Sequence, residues 1–175
     1  MKNWYILYVR TGCEEKIQKI LQKRLNNEYF LPFIPMKKVV FKQKGITYIE
    51  KKSCFPGYVF IQSKYEENEF IKLVFPIMQC IEDVYLFLHY ENKYDIRLRE
   101  EERVYLNKIM GSDYCIEHSV GYIEGDKIRV VSGVLMGMES KIKKINRHKR
   151  EAIIEVFMMG DNRRLSVALE VLEKI

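Results

Sequence analysis

The spacing of apolar residues changes near residue 111, and this change constrains the fold more than any other feature. Before it, apolar residues in 14–25 and 99–110 recur at intervals of three and four, which is typical of amphipathic helices. After it, apolar residues follow a period of two in short runs separated by Gly133, Gly137 and Gly160. This pattern predicts five short strands in the last third of the chain.

The first 110 residues mix strand and helix signals. Residues 4–9 and 57–61 are short apolar runs that predict strands, and residues 66–75 predict a helix that ends at Pro76. The remaining predictions are a hairpin of 39–41 with 46–49 around Gly45, and a long strand or strand pair at 80–90. This part of the chain is therefore predicted to be an α+β domain.

The polar stretch at residues 111–120 separates the two patterns and is predicted to be a linker. We therefore expect an α+β domain at residues 1–110 and a small all-β barrel at residues 121–175. A length of 175 residues allows two small domains.

The composition excludes several classes of protein. Hydrophobic residues make up 47% of the chain, so it can bury a core, and no apolar run approaches the roughly 18 residues of a membrane span. The four cysteines form no C-x-x-C pair, which argues against a disulfide framework or a zinc ribbon. We expect a cytoplasmic protein that does not bind a membrane.

Catalytic chemistry is not expected either. The sequence has no G-x-x-x-x-G-K-[ST] phosphate loop. Cys115 and His118 come nearest to a metal pair, but no second pair stands at ligand spacing. Cys54 is predicted to be a buried thiol rather than a nucleophile. We therefore predict no catalytic residues, no metal and no cofactor, and a binding protein rather than an enzyme.

The net charge of +6 is concentrated in two stretches. Residues 141–150 carry six cations and no acid, and residues 37–52 carry six lysines against Glu50 alone. A cationic hairpin on a small barrel fits a phosphate backbone, although solvated or edge-protecting charges are the alternative. The candidate nucleic-acid-binding residues are Lys141, Lys143, Lys144, Arg147, His148, Lys149, Arg150, Arg163 and Arg164.

Three stretches of the sequence resemble the NusG family of transcription elongation factors. They are Trp4-Tyr-Ile-Leu-Tyr-Val-Arg-Thr-Gly12, the distinctive hexapeptide Phe55-Pro-Gly-Tyr-Val-Phe60, and Gly125-Asp-Lys-Ile-Arg-Val-Val-Ser-Gly133, which is similar to the KOW motif. The resemblance covers nearly the whole chain. It implies an N-terminal domain with an antiparallel sheet flanked by helices, followed by an SH3-like KOW barrel.

The resemblance also implies a factor without enzymatic activity whose N-terminal domain binds the clamp of RNA polymerase. Phe55 precedes a Pro-Gly turn and is expected to be exposed, as interface aromatics are. The alternative is that the aromatics fill the core, as we expect for Trp4 and Tyr5. The positions that match the family's polymerase-binding patch are Tyr8, Phe55, Pro56, Tyr58 and Phe60.

Two features differ from an ordinary member of the family. One is the cationic stretch 141–150, and the other is Met158-Met-Gly-Asp-Asn-Arg-Arg-Leu165, which stands where the family usually has Ile-Phe-Gly and an acidic stretch containing Phe. Together they resemble the LoaP group of specialised antiterminators. This resemblance implies binding to a nascent RNA hairpin and readthrough of terminators in particular operons, and we expect a monomer.

Other readings stay open. A general NusG factor would couple polymerase to the ribosome or to Rho through residues 158–170. A factor of the RfaH branch would read a DNA hairpin, and a ribosome-associated RNA chaperone would use the KOW domain without polymerase. Contact with upstream DNA is a further expectation, through Arg10, Lys16, Lys19, Lys23 and the lysines of residues 37–52.

Overall fold

The computed structural model of the chain describes residues 1–43, 45–125 and 127–174. Lys44, in the predicted hairpin turn, and Asp126, in the KOW-like motif, lie outside the described residues, as does the side chain of Lys42. Within this part of the chain, none of the helices is long and apolar enough to cross a membrane.

The secondary structure mixes three α-helices with twelve strands among the described residues. In chain order these are β1 (Asn3–Val9), α1 (Glu14–Arg24), β2 (Phe30–Phe33), β3 (Met36–Gln43), β4 (Ile46–Ser53), β5 (Tyr58–Ser63), α2 (Glu67–Gln79), β6 (Val84–Phe87), α3 (Glu100–Met110), β7 (Cys115–Ile116), β8 (Ser119–Glu124), β9 (Lys127–Ser132), β10 (Ile142–Asn146), β11 (Glu151–Met158) and β12 (Asp161–Lys174).

These elements form two compact units, called unit 1 and unit 2. Unit 1 contains Met1–Pro35, Phe55–Tyr105 and Met158–Asp161, and unit 2 contains Met36–Cys54, Leu106–Phe157 and the chain from Asn162 onwards. The hairpin of β3 and β4 therefore groups with the β-rich part of the chain. This division differs from the domain boundaries expected at residues 110 and 121.

Unit 1 is built on a four-stranded antiparallel sheet with the order β2-β5-β1-β6. Pro32 lies in β2, at the edge of the sheet, where a missing N–H costs no ladder hydrogen bond. Because side chains alternate along β1, its odd-numbered residues share one face. That face forms a core with apolar residues of α1 and α2, which includes Tyr5, Leu7, Val9, Ile17, Leu21, Val59, Ile61, Phe70 and Val74.

Helix α2 runs through Pro76 to Gln79, so the end predicted at Pro76 is wrong. Proline cannot donate the helical hydrogen bond at its position, but the helix continues because Met78, beyond it, is buried in the unit 1 core. The strand predicted at 80–90 shrinks to the four residues of β6. Asp83, just before β6, has φ +72, which marks a turn rather than a strand.

The first part of unit 2 is a small sheet of three strands with the order β4-β3-β7. β3 pairs with β4 from Met36 opposite Ser53 to Gln43 opposite Ile46, and β7 pairs with β3 in parallel. β7 lies inside the stretch predicted to be a linker. Its residues Cys115 and Ile116 are buried, which explains why this polar stretch contains ordered structure.

The second part of unit 2 is a five-stranded sheet with the order β10-β11-β12-β8-β9. The expected number of strands is right but their assignment is not. β8 begins at Ser119, in the stretch predicted to be a linker, and β12 is one strand where 165–167 and 169–171 were expected to be two. The inward residues of β11 and β12 form its core, which includes Ala152, Ile154, Val156, Leu165, Val167 and Leu169.

Candidate functional site

The face of the unit 1 sheet opposite the helices carries a patch of exposed aromatics. Tyr8 of β1 and Tyr58 of β5 are directly opposite each other, with their ring centroids 5.6 Å apart. Tyr85 lies 5.3 Å from the Tyr8 ring, and Leu86 is paired with Tyr8 in the register of β6. Tyr8, Tyr85 and Leu86 are exposed and Tyr58 is half-buried. These four residues are called the tyrosine patch.

The same face continues into a buried aromatic layer. Phe60 is fully buried and contacts Trp4, Phe33 and Phe55 through ring pairs with centroids between 5.4 and 6.3 Å apart. Phe55 is 5% exposed, so the expectation that it stands in solvent is wrong, because its ring stacks on Phe60. The burial predicted for Trp4 and Tyr5 is confirmed. Of the matched aromatics, Tyr8 and Tyr58 therefore remain accessible to a partner.

The turn that precedes Tyr58 is held by a carboxylate that sequence reasoning missed. Glu14, at the start of α1, is 9% exposed and accepts hydrogen bonds from the N–H groups of Gly57 at 2.6 Å and Gly12 at 2.8 Å. Gly57 has φ +87, and a Cβ there would lie 3.2 Å from Thr11 Oγ1. Glycine is therefore required after Pro56, and Glu14 ties this turn to the helix.

Arg10 and Lys16, which are both proposed for DNA contact, share one acid. Asp83 lies 3.5 Å from Arg10 Nη1 and 3.3 Å from Lys16 Nζ. Burial raises the pKa of Asp83, but hydrogen bonds from Lys16 and Cys13, together with the Lys16 and Arg10 charges, outweigh it and hold the pKa below its ordinary value. Lys19, on the exposed side of α1, has no ion pair within the described residues.

In unit 2 the cationic stretch forms a hairpin, as predicted. β10 ends at Asn146, β11 begins at Glu151, and residues 147–150 make the turn between them. Ile142 and Ile145 are both half-buried although they are three positions apart, because an irregularity in the register lies between Ile142 and Lys144.

The cations of this hairpin do not form one surface. Lys143 and Lys144 line a cleft of about 570 Å³ with Lys127 of β9, and Lys143 is paired with Glu155 at 3.4 Å. His148, Lys149 and Arg150 line a different cleft, together with the β3–β4 hairpin. Lys141, Lys144, Arg147 and Lys149 are exposed and make no ion pair with any described residue.

The two arginines of β12 point to opposite sides of their strand. Arg164 is exposed and lies two residues from Ser166, so both are on one face of β12. Arg163 is on the same face as the buried Leu165 and is itself half-buried. The structure therefore brings Arg164 towards the Ser166 side of the sheet but not Arg163.

The lysines of the β3–β4 hairpin also divide between two faces. Lys38 is paired with Glu117 at 2.7 Å and Lys51 with Asp113 at 3.9 Å on one face. On the other face Lys52 lies over the Phe41 ring, 4.8 Å from its centroid. Sequence reasoning missed the aromatics of this second face, Phe41 and Tyr48, which are opposite each other in the register.

The cysteines and other candidate metal ligands of the described residues are distributed as follows. No group of three or more His, Cys, Asp or Glu side chains could hold a metal ion in that part of the chain. All four cysteines are free. Burial raises the pKa of the Cys54 thiol to about 12, so it is not a nucleophile at neutral pH.

Comparison with known proteins gives a consistent result. The family described as "Transcription termination factor nusG" matches residues 2–107. The chain is 26% identical over 166 residues to the transcription termination/antitermination protein NusG of Thermus thermophilus, covering 90% of each protein. It is 22% identical to the protein of the same name from Helicobacter pylori strain 26695, covering 100% of this chain and 99% of that one.

The fold has a solved relative as well. A structure of NusG from Thermotoga maritima aligns with a TM-score of 0.52 at 19% sequence identity, covering 96% of this chain and 94% of that one. This similarity shows a NusG-like fold with an N-terminal domain and a β-rich C-terminal part. Because the family matches more than half of the chain, the protein belongs to the NusG family of transcription factors.

Proposed function

We propose that this protein is a cytoplasmic antitermination factor that binds the clamp of RNA polymerase through unit 1 and a nascent RNA hairpin through unit 2. In this proposal the five-stranded sheet of unit 2 is an SH3-like KOW barrel, and the factor promotes readthrough of terminators in particular operons. The observation that carries it is the coexistence of an exposed aromatic patch on one unit and unpaired cations on the other.

The tyrosine patch supports the polymerase half of the proposal. Aromatic side chains that are exposed on a rigid sheet lose little conformational entropy on binding and are common hot spots of protein interfaces. Tyr8 and Tyr58 lie beside the buried Phe60 and Trp4 on the same face of the sheet, and this packed layer holds the two strands in place. They are the aromatic positions, among those matching the family's patch, that a partner can reach, and Pro56 beside them is exposed as well.

The unpaired cations of the β10–β11 hairpin support the RNA half. An RNA duplex has a deep, narrow major groove, so proteins bind it mainly through phosphate and shape. Lys144 and Arg147 project from the hairpin without a neutralising acid among the described residues. Such charges are available for phosphates, whereas Lys38 and Lys51 are already paired.

The general alternative has less support from the geometry. It requires binding to the ribosome or Rho through residues 158–170. Met158 and Met159 are 0% and 4% exposed, and Leu165, Val167 and Leu169 are buried as well. The apolar side chains of this stretch are thus used within the protein, while Arg164 is exposed.

The polymerase half is tested by pull-down of purified RNA polymerase with the full chain. We expect the Tyr8→Ala, Tyr58→Ala double variant to lose most binding, with Tyr94→Ala as control, since Tyr94 is 65% exposed in unit 1 but outside the tyrosine patch. Equal binding by both variants would reject the patch. No binding by the unaltered chain would favour the RNA chaperone alternative.

The RNA half is tested by gel shift with a synthetic RNA hairpin whose stem is fully paired. The Lys144→Ala, Arg147→Ala variant should bind more weakly and should reduce the slope of log affinity against log salt by about one unit for each lost phosphate contact. Lys38→Ala is the control, because Lys38 is paired with Glu117. An unchanged slope in the double variant would contradict RNA binding by this hairpin, and tighter binding to DNA would favour the RfaH-like alternative.

A further inference from the structure

Unit 2 contains a large open cleft that is not lined by Lys144 and Arg147, the two residues chosen to test contact with a paired stem. Its volume is about 1050 Å³, slightly above the roughly 300–1,000 Å³ of small-molecule pockets. One wall is a face of the β3–β4 hairpin, and the other is the turn at residues 147–150. Ser166 of β12 also lines the cleft.

The hairpin wall presents two aromatic rings to the cleft. Phe41 of β3 is directly opposite Tyr48 of β4, and the two side chains are 40% and 47% exposed. The residues on the same face of these strands are Lys37, Val39, Glu50 and Lys52, and all of them line the cleft. Lys52 Nζ lies 4.8 Å from the centre of the Phe41 ring and 3.7 Å from Glu50.

The opposite wall presents cations on a well-defined turn. His148 and Lys149 are exposed and Arg150 is half-buried. The N–H of Lys149 donates to Asn146 Oδ1 at 3.0 Å, which fixes the start of the turn. Arg150 has φ +50, and its carbonyl accepts a hydrogen bond from the N–H of Leu169 at 2.9 Å.

Hydrogen bonds connect both walls to β12, so the cleft is preformed in the absence of a ligand. Lys37 Nζ donates to the carbonyl of Ser166 at 3.0 Å and to its Oγ at 2.5 Å. The carbonyl of Arg150 is hydrogen-bonded to the N–H of Leu169, three residues after Ser166 in β12. At a strand rise of about 3.3 Å per residue, the two attachment points are roughly 10 Å apart. A preformed site loses less entropy on binding.

The chemistry of the cleft suits an unpaired nucleic-acid strand. Four cations, Lys37, Lys52, Lys149 and Arg150, face two acids, Glu50 and Glu151, so the cleft has a positive surplus. Cations that follow the backbone together with aromatic rings on which bases stack are the usual elements of single-strand binding. The bases of a duplex are stacked on each other and cannot reach such rings.

We propose that this cleft binds unpaired nucleotides of the RNA whose paired stem contacts the β10–β11 hairpin. The inference rests on the proposed RNA binding and names which part of that RNA enters unit 2. Bases stack on Phe41 and Tyr48, and Lys52 and Lys149 hold the phosphates. Arg164, on the Ser166 face of β12, extends the cationic path beyond the cleft.

The test uses fluorescence anisotropy of the full chain with a labelled oligouridine RNA. Stacking contributes about 1–3 kcal/mol per base, so Tyr48→Ala should weaken binding about fivefold or more. Tyr48→Phe keeps a ring and should bind like the unaltered chain. Circular dichroism confirms folding, and Tyr48→Leu replaces Tyr48→Ala if the latter is unfolded.

Matched controls come from the other face of β4. Ile49→Ala removes a side chain that is 54% exposed but outside the cleft, and it should leave affinity unchanged. Lys52→Ala should weaken oligouridine binding more than Lys51→Ala, although both lysines are similarly exposed and each has one long ion pair. Equal effects of the cleft variants and their controls would overturn the proposal.

The remaining outcomes separate this inference from the proposed function. If the fully paired hairpin binds and oligouridine does not, the cleft proposal fails while duplex binding stands. If oligouridine binds and Lys144→Ala, Arg147→Ala leaves hairpin binding unchanged, duplex binding fails and the cleft stands. Tighter binding of an oligothymidine DNA, or of a polyglutamate peptide, would overturn RNA as the occupant.

Discussion

The two units each expose one pair of aromatic side chains at directly opposed positions of antiparallel strands. Tyr8 and Tyr58 form the pair in unit 1, and Phe41 and Tyr48 form the pair in unit 2. The pairs are similar in backbone geometry but differ in what surrounds them. Leu86 and Tyr85 flank the first pair, whereas Lys52 lies over a ring of the second.

This difference teaches that an exposed aromatic pair does not by itself define a class of partner. An apolar rim suits a protein surface that loses water on contact, while a cationic rim suits phosphates and stacked bases. The support beneath the pairs differs too. The unit 1 strands lie on a buried aromatic layer, whereas every residue of β4 from Ile46 to Lys52 is exposed.

The largest expected effect concerns the packing beneath each aromatic pair, which is buried in the unit 1 sheet and exposed in the β3–β4 hairpin. Phe60→Ala should lower the free energy of unfolding by about 3–5 kcal/mol, because it removes a fully buried ring. Phe41→Ala, the same change at a ring that is 40% exposed, should cost less than about 1 kcal/mol. Urea denaturation of both variants measures the contrast. Similar losses would mean that the hairpin is as firmly packed as the unit 1 sheet.

The second prediction concerns Glu14, the carboxylate that holds the turn before Tyr58. Glu14→Ala leaves the N–H groups of Gly12 and Gly57 without their acceptor and should cost about 1–3 kcal/mol of stability. Glu15→Ala is the control, since Glu15 is exposed on the same turn of α1. Urea denaturation compares the two, and a Glu14 variant as stable as the control would show that the Gly57 turn does not depend on this carboxylate.

Sequence reasoning found the first pair and missed the second for a physical reason. Tyr8 and Tyr58 were identified because they match the polymerase-binding patch that the family resemblance implies, and both lie in runs that predict strands. Phe41 and Tyr48 line a cleft whose other wall is the turn at residues 147–150, about a hundred positions further along the chain. No local pattern reports that proximity.

The same distinction accounts for the other differences. The helices, the β3–β4 hairpin and the hairpin of the cationic stretch follow from local patterns and were predicted. The burial of Phe55 depends on its stacking with Phe60, and the continuation of α2 beyond Pro76 depends on the burial of Met78. β8 was missed because its partners are β9 and the distant β12. Each error lies where tertiary packing outweighs local preference.

The surroundings of the first pair can be changed without touching its rings. Leu86→Lys places a cation beside Tyr8 and should weaken polymerase binding about tenfold, because the charge would lose water against an apolar partner. Leu73→Lys is the matched control, since Leu73 is 42% exposed on α2 and Leu86 is 41% exposed. Affinity for immobilised polymerase measures the effect. Equal affinity in the two variants would reject the importance of an apolar rim.

The smallest expected effect concerns the acid that holds the turn before β6. The folded state lowers the pKa of Asp83 below its ordinary 3.8, so this carboxylate adds stability above that pH and the contribution disappears as the pH falls through the folded pKa. Asp83→Asn should therefore lower the melting temperature slightly at neutral pH. The difference from the unaltered chain should close as the pH drops below about 4.

Asparagine is a suitable replacement because it tolerates the positive φ of this position. Melting curves between neutral and acid pH therefore report the loss of the charge rather than backbone strain. Arg10→Gln, Lys16→Gln should reproduce the effect, since these cations pair with Asp83. A difference that persists unchanged in acid would show that Asp83 acts through its turn geometry. The backbone of that turn would then position Tyr85. In contrast, β3, which carries Phe41 of the second pair, is attached to β12 by the hydrogen bonds from Lys37 to Ser166.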